Sequence, residues 1–345
     1  MIVLALVAAG CTSAAGTATS SSSSTSSSST TGAAATSTLP APTTSSPPPS
    51  TGGLSVEAEP SYGYSFVTSA IAGARHQVDL VMYELTDPSV EQALAAAAGR
   101  GVTVEVLLDS NLEQSANQAA FQYLSGHAVA VHWGPSGTTI HQKTLCIDQA
   151  VCYVMTGNLT PQYYSDTRDF TVIDTQASDI SAVEATFAAD FSGQPVATGR
   201  PGADLVWSPG SEQSLEGIID SAATSLLVEN EEMDSDAIVD ALESAAQRGV
   251  QVHLVMTEDS EWDSAFDQLA AAGVKVSTYS QEAPLYIHAK AIVADGDEAF
   301  VGSENFSTAS MEYNRELGVI SRDPSVVAAL SSQIDADFAG ATPWS

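Results

Sequence analysis

The sequence predicts a mixed α/β fold made of two similar units. Three observations predict it. Apolar β-type runs alternate with helical patterns from residue 54 onward, which argues for mixed sheets covered by helices on both faces. The order of these elements in the first half returns in the second. Six polar positions also recur at one offset: His141, Lys143, Asp148, Asn158, Arg168 and Asp169 are answered 147 residues later by His288, Lys290, Asp295, Asn305, Arg315 and Glu316. A register held at six polar positions marks a duplicated unit.

The elements follow in order. Residues 62–74 are helix-like, and 77–82 (Gln-Val-Asp-Leu-Val-Met) read as a buried strand. Asp87-Pro88 starts a helix, with Asp as N-cap and Pro in the first turn; Gly99-Arg-Gly101 ends it. Strand 102–108, helix 115–124 and strand 128–133 lead to the first polar box. The second half gives strand 226–229, helix 236–247, strand 250–256, helix 263–272 and strand 274–279 before the second box. Arg248-Gly249 answers Arg100-Gly101 at an offset of 148, so one residue is gained or lost between these regions. Each half closes on a helix, 178–191 and 324–338. The division is placed near Gly199-Arg-Pro-Gly202, giving units 54–200 and 201–345.

Residues 12–53 contain no charge and consist almost wholly of Ser, Thr, Ala, Pro and Gly. Such a stretch cannot bury enough apolar surface to offset its ordering entropy, and reads as a disordered tether. Before it, Met1–Cys11 reads as a secretory leader whose apolar run is too short to span a bilayer. Its Ala-Ala-Gly-Cys end resembles a bacterial lipobox, which implies lipidation at Cys11. The expected location is the extracellular face of the cell membrane, lipid-anchored, or the medium.

Formal net charge is −32, with ten basic residues and three lysines, Lys143, Lys275 and Lys290. Two of the three lysines stand in the boxes. The arginines are scattered, so the basic stripe needed for nucleic acid is missing. A polyanion would be repelled, whereas one phosphodiester on a neutral or zwitterionic molecule would not. Cys146 and Cys152 fall on two short β-type runs, 144–147 and 151–155, and a three-residue loop would set them opposite each other. They could close a cross-strand disulfide or remain two buried thiols; a metal role lacks the further ligands.

The boxes read His141-x-Lys143-x4-Asp148 and His288-x-Lys290-x4-Asp295, with Asn158 and Asn305 after the next strand. A two-residue spacing on a strand puts imidazole and ammonium on one face. If two such platforms meet across a pseudo-twofold, Lys143, Lys290, Asn158 and Asn305 cage phosphoryl oxygens. One His attacks phosphorus and the other protonates the leaving alkoxide. No metal or cofactor is implied, because the lysines supply positive charge. Asp169 and Glu316, each 28 residues after its His, are candidates to orient the imidazoles. Asp148 and Asp295 complete the boxes, but their odd spacing turns them away from the pocket, toward a structural role at the hairpin. Tyr163, Tyr164, Tyr286, Tyr313 and Trp133 flank the boxes as candidate groove residues. His76, His127, His132 and His253 are expected to be surface or packed residues.

The doubled H-x-K-x4-D resembles the signature of the phospholipase D superfamily, over residues 54–345. The resemblance implies two α/β/α sandwich halves with the active site between them and a phosphohistidine intermediate resolved by water or an alcohol. It puts His141, Lys143, Asp148, His288, Lys290 and Asp295 in the catalytic set, with His141 as nucleophile and His288 as acid. In this chain Thr156-Gly157 precedes Asn158, where that family more often has Gly-Ser or Gly-Thr. The leading expectation is a monomeric phospholipase D hydrolysing a phospholipid head-group diester, with alcohol transfer as a side reaction. A metal-independent endonuclease and a cardiolipin synthase-type transferase are the enzyme alternatives. A binding module with a dead site would need a degraded box, and both boxes are intact.

Overall fold

The computed structural model describes residues 53–195 and 197–345. The expectations for the leader, for Cys11 and for nearly all of the tether concern residues outside that range.

The first half contains β1 (Leu54–Ala58), β2 (Gln77–Met82), β3 (Thr103–Leu108), β4 (Ala130–Trp133), β5 (Thr144–Ile147), β6 (Val151–Met155), the two-residue β7 (Thr167–Arg168) and β8 (Phe170–Asp174). All but β7 form one sheet in the order β1-β8-β6-β5-β2-β3-β4. The strands β2, β3 and β4 are parallel, as their helical crossovers require, and the remaining neighbours are antiparallel. The helices are α1 (Ser65–Gly73), α2 (Pro88–Gly99), α3 (Gln114–Ser125) and α4 (Ala177–Phe191). Asp87 caps α2 by accepting from the Ser89 amide, with Pro88 in the first turn.

The second half opens with β9 (Leu205–Ser208) and α5 (Glu212–Ser221). It continues through β10 (Ser225–Glu229), α6 (Asp236–Gln247), β11 (Gln251–Thr257), α7 (Asp263–Ala272), β12 (Lys275–Tyr279) and the short β13 (Tyr286–Ile287). Then follow β14 (Ala291–Ala294), β15 (Glu298–Gly302), α8 (Thr308–Glu312), β16 (Glu316–Ser321), α9 (Pro324–Gly340) and β17 (Thr342–Pro343). Its sheet runs β17-β12-β11-β10-β14-β15-β16-β9, the order of the first sheet with one edge strand added.

Each sheet packs its own helices on one face. Val67, Ile71, Leu94 and Leu124 cover the first sheet, and Leu215, Ile238, Leu242 and Phe266 cover the second. The opposite faces share one core. It contains Val154 and Val172 from one sheet, Val293 and Val319 from the other, Ile180 and Val183 of α4, and Leu330 and Ile334 of α9. The two closing helices therefore share a core with both sheets, and the halves are fused rather than tethered.

The seam is tied by backbone and by charge. Strand β13 pairs in parallel with β7, joining Tyr286 to Thr167 and Ile287 to Arg168. On the pseudosymmetric side Ile140 bridges Arg315 in the same sense. The two arginines cross the seam. Arg168 donates from Nε (2.6 Å) and Nη2 (3.0 Å) to Asp337 of α9. Arg315 donates from Nε (2.8 Å) and Nη2 (3.2 Å) to Asp190 of α4. Asp190 and Asp337 are themselves 147 residues apart. Burial pushes the Asp190 carboxyl up, and the Arg315 charge offsets only part of that. Both residues of this pair are buried.

Breaking a buried ion pair on one side strands a charge, which costs about 3–5 kcal/mol, whereas replacing both partners with apolar groups can be nearly neutral. Asp190→Ala should therefore lower stability by roughly that amount in urea unfolding, and Asp190→Leu with Arg315→Met should recover much of the loss.

Candidate active site

The H-x-K stretches lie outside the strands expected to carry them. Residues 141–143 and 288–290 are extended chain just ahead of β5 and β14. The opposite half holds them straight: the His141 and Gln142 amides donate to the Arg315 carbonyl (3.0 and 2.8 Å), and the His288 amide donates to the Arg168 carbonyl (3.1 Å). Both imidazoles line one cavity of about 550 Å³ between the halves, together with Asn158 and Asn305. Of the aromatic residues flanking the boxes, Tyr163, Tyr164 and Tyr286 line this cavity. Trp133 instead stacks on Phe121, and Tyr313 is exposed.

The orienting acids are exchanged between halves. His141 Nδ1 faces Glu316 Oε2 at 2.7 Å, and His288 Nδ1 faces Asp169 Oδ1 at 2.8 Å. Each acid is fixed in turn. Asp169 accepts from Thr156 Oγ1 at 2.5 Å, and Glu316 from Ser310 Oγ at 2.6 Å and Asn314 Nδ2 at 3.2 Å. Burial alone would raise both carboxyls, but the imidazole beside each one and the lysines hold them below the usual range. An ionised acceptor at Nδ1 fixes the Nδ1–H tautomer and leaves Nε2 for chemistry. Burial pushes the His141 imidazole down, with Glu316 opposing, so His141 favours the neutral form.

The lysines are fully buried, and neither is among the lining residues. Lys143 Nζ donates to the His141 carbonyl (2.7 Å), and Lys290 Nζ to the His288 carbonyl (2.5 Å). Burial pushes the Lys143 ammonium down to about 7, against the pull of Glu316. Asn158 Oδ1 and Asn305 Oδ1 are buried without a partner, while Asn305 Nδ2 donates to Glu232 Oε1 at 2.8 Å. A Cβ at Gly157 would run into the Tyr64 hydroxyl and the Asp169 carboxylate, so the corner before Asn158 requires glycine.

Asp148 and Asp295 do not stand with these residues, which corrects their grouping with the catalytic set. Asp148 accepts from the Arg75, His76 and Gln77 amides, and Asp295 from the Ala223, Thr224 and Ser225 amides. Both have left-handed backbone, φ 54° and 52°. Each ties a hairpin turn to the start of β2 or β10, the structural role that odd spacing suggests. Cys146 and Cys152 are direct cross-strand partners and form a disulfide, with Cα atoms 4.1 Å apart.

Sequence reasoning missed Glu231 and Glu232, which line the cavity. Tyr83 and Glu231 are 148 residues apart, the offset that also relates Arg100 to Arg248. The Tyr83 ring packs edge-on against His141 and lies under Lys143 Nζ, 4.9 Å from the centroid. Glu231 replaces that ring with a carboxylate. Its Oε2 lies 2.8 Å from Lys290 Nζ and 3.3 Å from His288 Nε2.

A family profile described as "Cardiolipin synthase, PLD-like domain" matches residues 67–191 and 215–339, one copy in each half. The chain belongs to this PLD-like family. The PLD-like chain is 26% identical over 303 residues to a cardiolipin synthase A of Klebsiella pneumoniae, covering 72% of this chain and 62% of that protein. It is 26% identical over 318 residues to one of Yersinia pseudotuberculosis, covering 77% and 64%. It thus spans somewhat under two thirds of the length of these relatives. In fold it is similar to a phosphatidylserine synthase of Haemophilus influenzae, with TM-score 0.68 at 10% identity over 85% of this chain and 87% of the other. It is also similar to a polyphosphate kinase of Porphyromonas gingivalis, with TM-score 0.65 at 15% identity over 82% and 46%.

The exchanged acids have a direct readout in ring ¹⁵N shifts of the PLD-like chain. Glu316→Gln should release the Nδ1–H tautomer of His141 alone, and Asp169→Asn that of His288 alone. The Lys143 shift predicts a pH dependence. Its charge is present below about pH 7 and lost above it. The affinity for a monoanionic phosphodiester analogue, whose own charge is constant over that range, should therefore fall as pH rises through about 7 in titration calorimetry.

Proposed function

We propose that the chain transfers the phosphatidyl group of a phospholipid from its head-group alcohol to another alcohol through a phosphohistidine, the reaction type of a cardiolipin synthase, with water as a competing acceptor. One observation carries the reading: two imidazoles from different halves share a cavity, each with Nδ1 held by a buried acid. His141 Nε2 attacks phosphorus. The P–N bond forms as the P–O bond to the leaving alcohol breaks, and His288 passes a proton to that alkoxide. An acceptor hydroxyl then gives its proton to His288 and attacks phosphorus, and the P–N bond breaks. His141 is given the nucleophile's part because burial favours its neutral form. His288 is given the acid's part because Asp169 Oδ1 faces its Nδ1 and Glu231 Oε2 faces its Nε2, so an acceptor stands at each ring nitrogen. Asn158 and Asn305 in the cavity wall supply donors for the phosphoryl oxygens, and Lys143 and Lys290 supply positive charge from behind that wall.

The hydrolase expected from the boxes shares every step except the acceptor. The cardiolipin synthase relatives support transfer over hydrolysis as the main outcome, so the ranking of the two is reversed here. Carboxylates of Asp166, Asp169, Glu231 and Glu232 in the cavity wall disfavour a nucleic-acid polyanion. No helix among the described residues is long and apolar enough to cross a membrane. Attachment through a lipidated Cys11 on the outer face would bring the cavity to a lipid surface, and one chain holding both boxes needs no second subunit.

His141→Ala and His288→Ala should each lower phosphatidylglycerol turnover by at least about 10³-fold. Acid-labile, base-stable ³²P on the protein should disappear in His141→Ala. Mass spectrometry of products with and without added glycerol decides the acceptor. A diphosphatidyl or exchanged diester supports transfer, and phosphatidate alone supports hydrolysis.

A further inference from the structure

The two copies of the site are not equivalent, and the difference is concentrated at one residue. In the first copy His141 and Lys143 pack against the ring of Tyr83. In the second copy the corresponding place belongs to Glu231. Its Oε2 lies 2.8 Å from Lys290 Nζ, 3.3 Å from His288 Nε2 and 3.5 Å from Asn305 Nδ2. These three groups are the donors the second copy has for a phosphoryl oxygen. A carboxylate oxygen thus occupies the position in which a phosphoryl oxygen would collect the same contacts.

The backbone that carries Glu231 is pinned. The neighbouring Asn230 Oδ1 accepts from the Glu232 and Phe306 amides (3.1 Å each), and Asn230 Nδ2 donates to the Glu304 carbonyl (3.3 Å). Tyr286 Oη donates to Glu231 Oε1 at 3.3 Å. Glu231 is therefore held in the wall. Burial alone would raise its carboxyl, yet the charges of His288 and Lys290 keep it far below the usual range. A ligand bearing one negative charge meets one like-charged neighbour in a site with two lysines. A second negative charge doubles both the repulsion from Glu231 and the attraction to the lysines, and because Asp166, Asp169 and Glu232 stand in the same wall the acids outnumber the lysines and the second charge is disfavoured.

We propose that Glu231 is a specificity-determining residue of the phosphoryl subsite, admitting singly charged phosphodiesters and turning away doubly charged phosphomonoesters. This rests on the phosphodiester reading of the site and goes beyond it. A diester product can re-enter and exchange its alcohol, whereas a monoester product formed by water is excluded from the cavity. The residue thereby favours exchange between diesters over inhibition by the hydrolysed product.

The test compares two ligands of nearly the same shape that differ in charge, phenyl phosphate (a dianion at neutral pH) and phenyl methylphosphonate (a monoanion). Binding to the full chain is measured by titration calorimetry for wild type and Glu231→Gln. The wild type should prefer the monoanion by at least about 10-fold, or about 1.4 kcal/mol. Glu231→Gln should tighten the dianion by a similar factor and change the monoanion by less than about 3-fold. If Glu231→Gln melts early, Glu231→Ala removes the same charge and should give the same result. Equal tightening of both ligands would make Glu231 a mere occupant of space and overturn the proposal; so would no change in either. Binding needs no turnover, so a wild type that binds both ligands but cleaves no diester defeats the reading of function while leaving the Glu231 comparison to be decided on its own.

Discussion

The site depends on buried carboxylates finding their cationic partners across the seam. Asp169, Glu316, Asp190 and Asp337 are all buried, and each has its partner in the other half. A carboxylate taken out of water without a partner is strongly unfavourable. Neither half can bury its acids alone; only docking in this register satisfies them together. The main chain reinforces the same register, since the arginines whose side chains reach across the seam also offer their carbonyls to the opposing box histidines. Catalytic geometry and assembly of the halves are therefore one constraint.

Pseudosymmetry fixes the positions, and local substitutions give the two imidazoles different surroundings. Beside His141 is the aromatic ring of Tyr83, and the glycine at 157 leaves room for the Tyr64 hydroxyl on Asp169, the acid that faces His288. Beside His288 is Glu231, with Glu232 also at the cavity, while the buried Glu304, 147 residues after Gly157, has its carboxyl pushed well above its usual range by burial and by Glu316, the acid that faces His141. An aromatic ring thus packs against one imidazole and a carboxylate against the other. The neutral form is favoured at His141, while carboxylate oxygens stand at both ring nitrogens of His288.

Much of this was legible beforehand, and the remainder was hidden for specific reasons. Strands 77–82, 144–147 and 151–155 and helices 236–247 and 263–272 stand where their periodicity put them. A buried strand or a strongly amphipathic helix leaves a pattern that local sequence cannot disguise. The Cys146–Cys152 register followed from the short hairpin, but whether the sulfurs bond did not. The crossing of Asp169 and Glu316 was hidden because a constant spacing of 28 is equally consistent with pairing within a half or between halves. The Asp190–Asp337 relation was available as another repeat of 147 and went unread because neither acid lies near a box. Helix 212–221 was passed over although Leu215, Ile218 and Ile219 show helical spacing. Glu231 was missed because comparison of the halves relied on identical residues, and here the informative position is one where they differ.

The net charge gains meaning from where the few cations sit. Lys143, Lys290, Arg168 and Arg315 are buried at the seam or beneath the imidazoles, so almost none of the positive charge projects into solvent there. The outer field is therefore negative, while the inner site sets two buried lysines behind a wall that also carries carboxylates, and the two act over different distances. Bulk screening reduces the outer field within about 8–10 Å in physiological salt, but the buried cage is hardly screened. A freely diffusing polyanion meets the outer field many times over. A ligand that carries a single phosphodiester meets it once, and then has Lys143 and Lys290 buried just behind the cavity wall. Acidity of the whole and affinity for a single phosphodiester are thus compatible, provided that the ligand arrives one charge at a time.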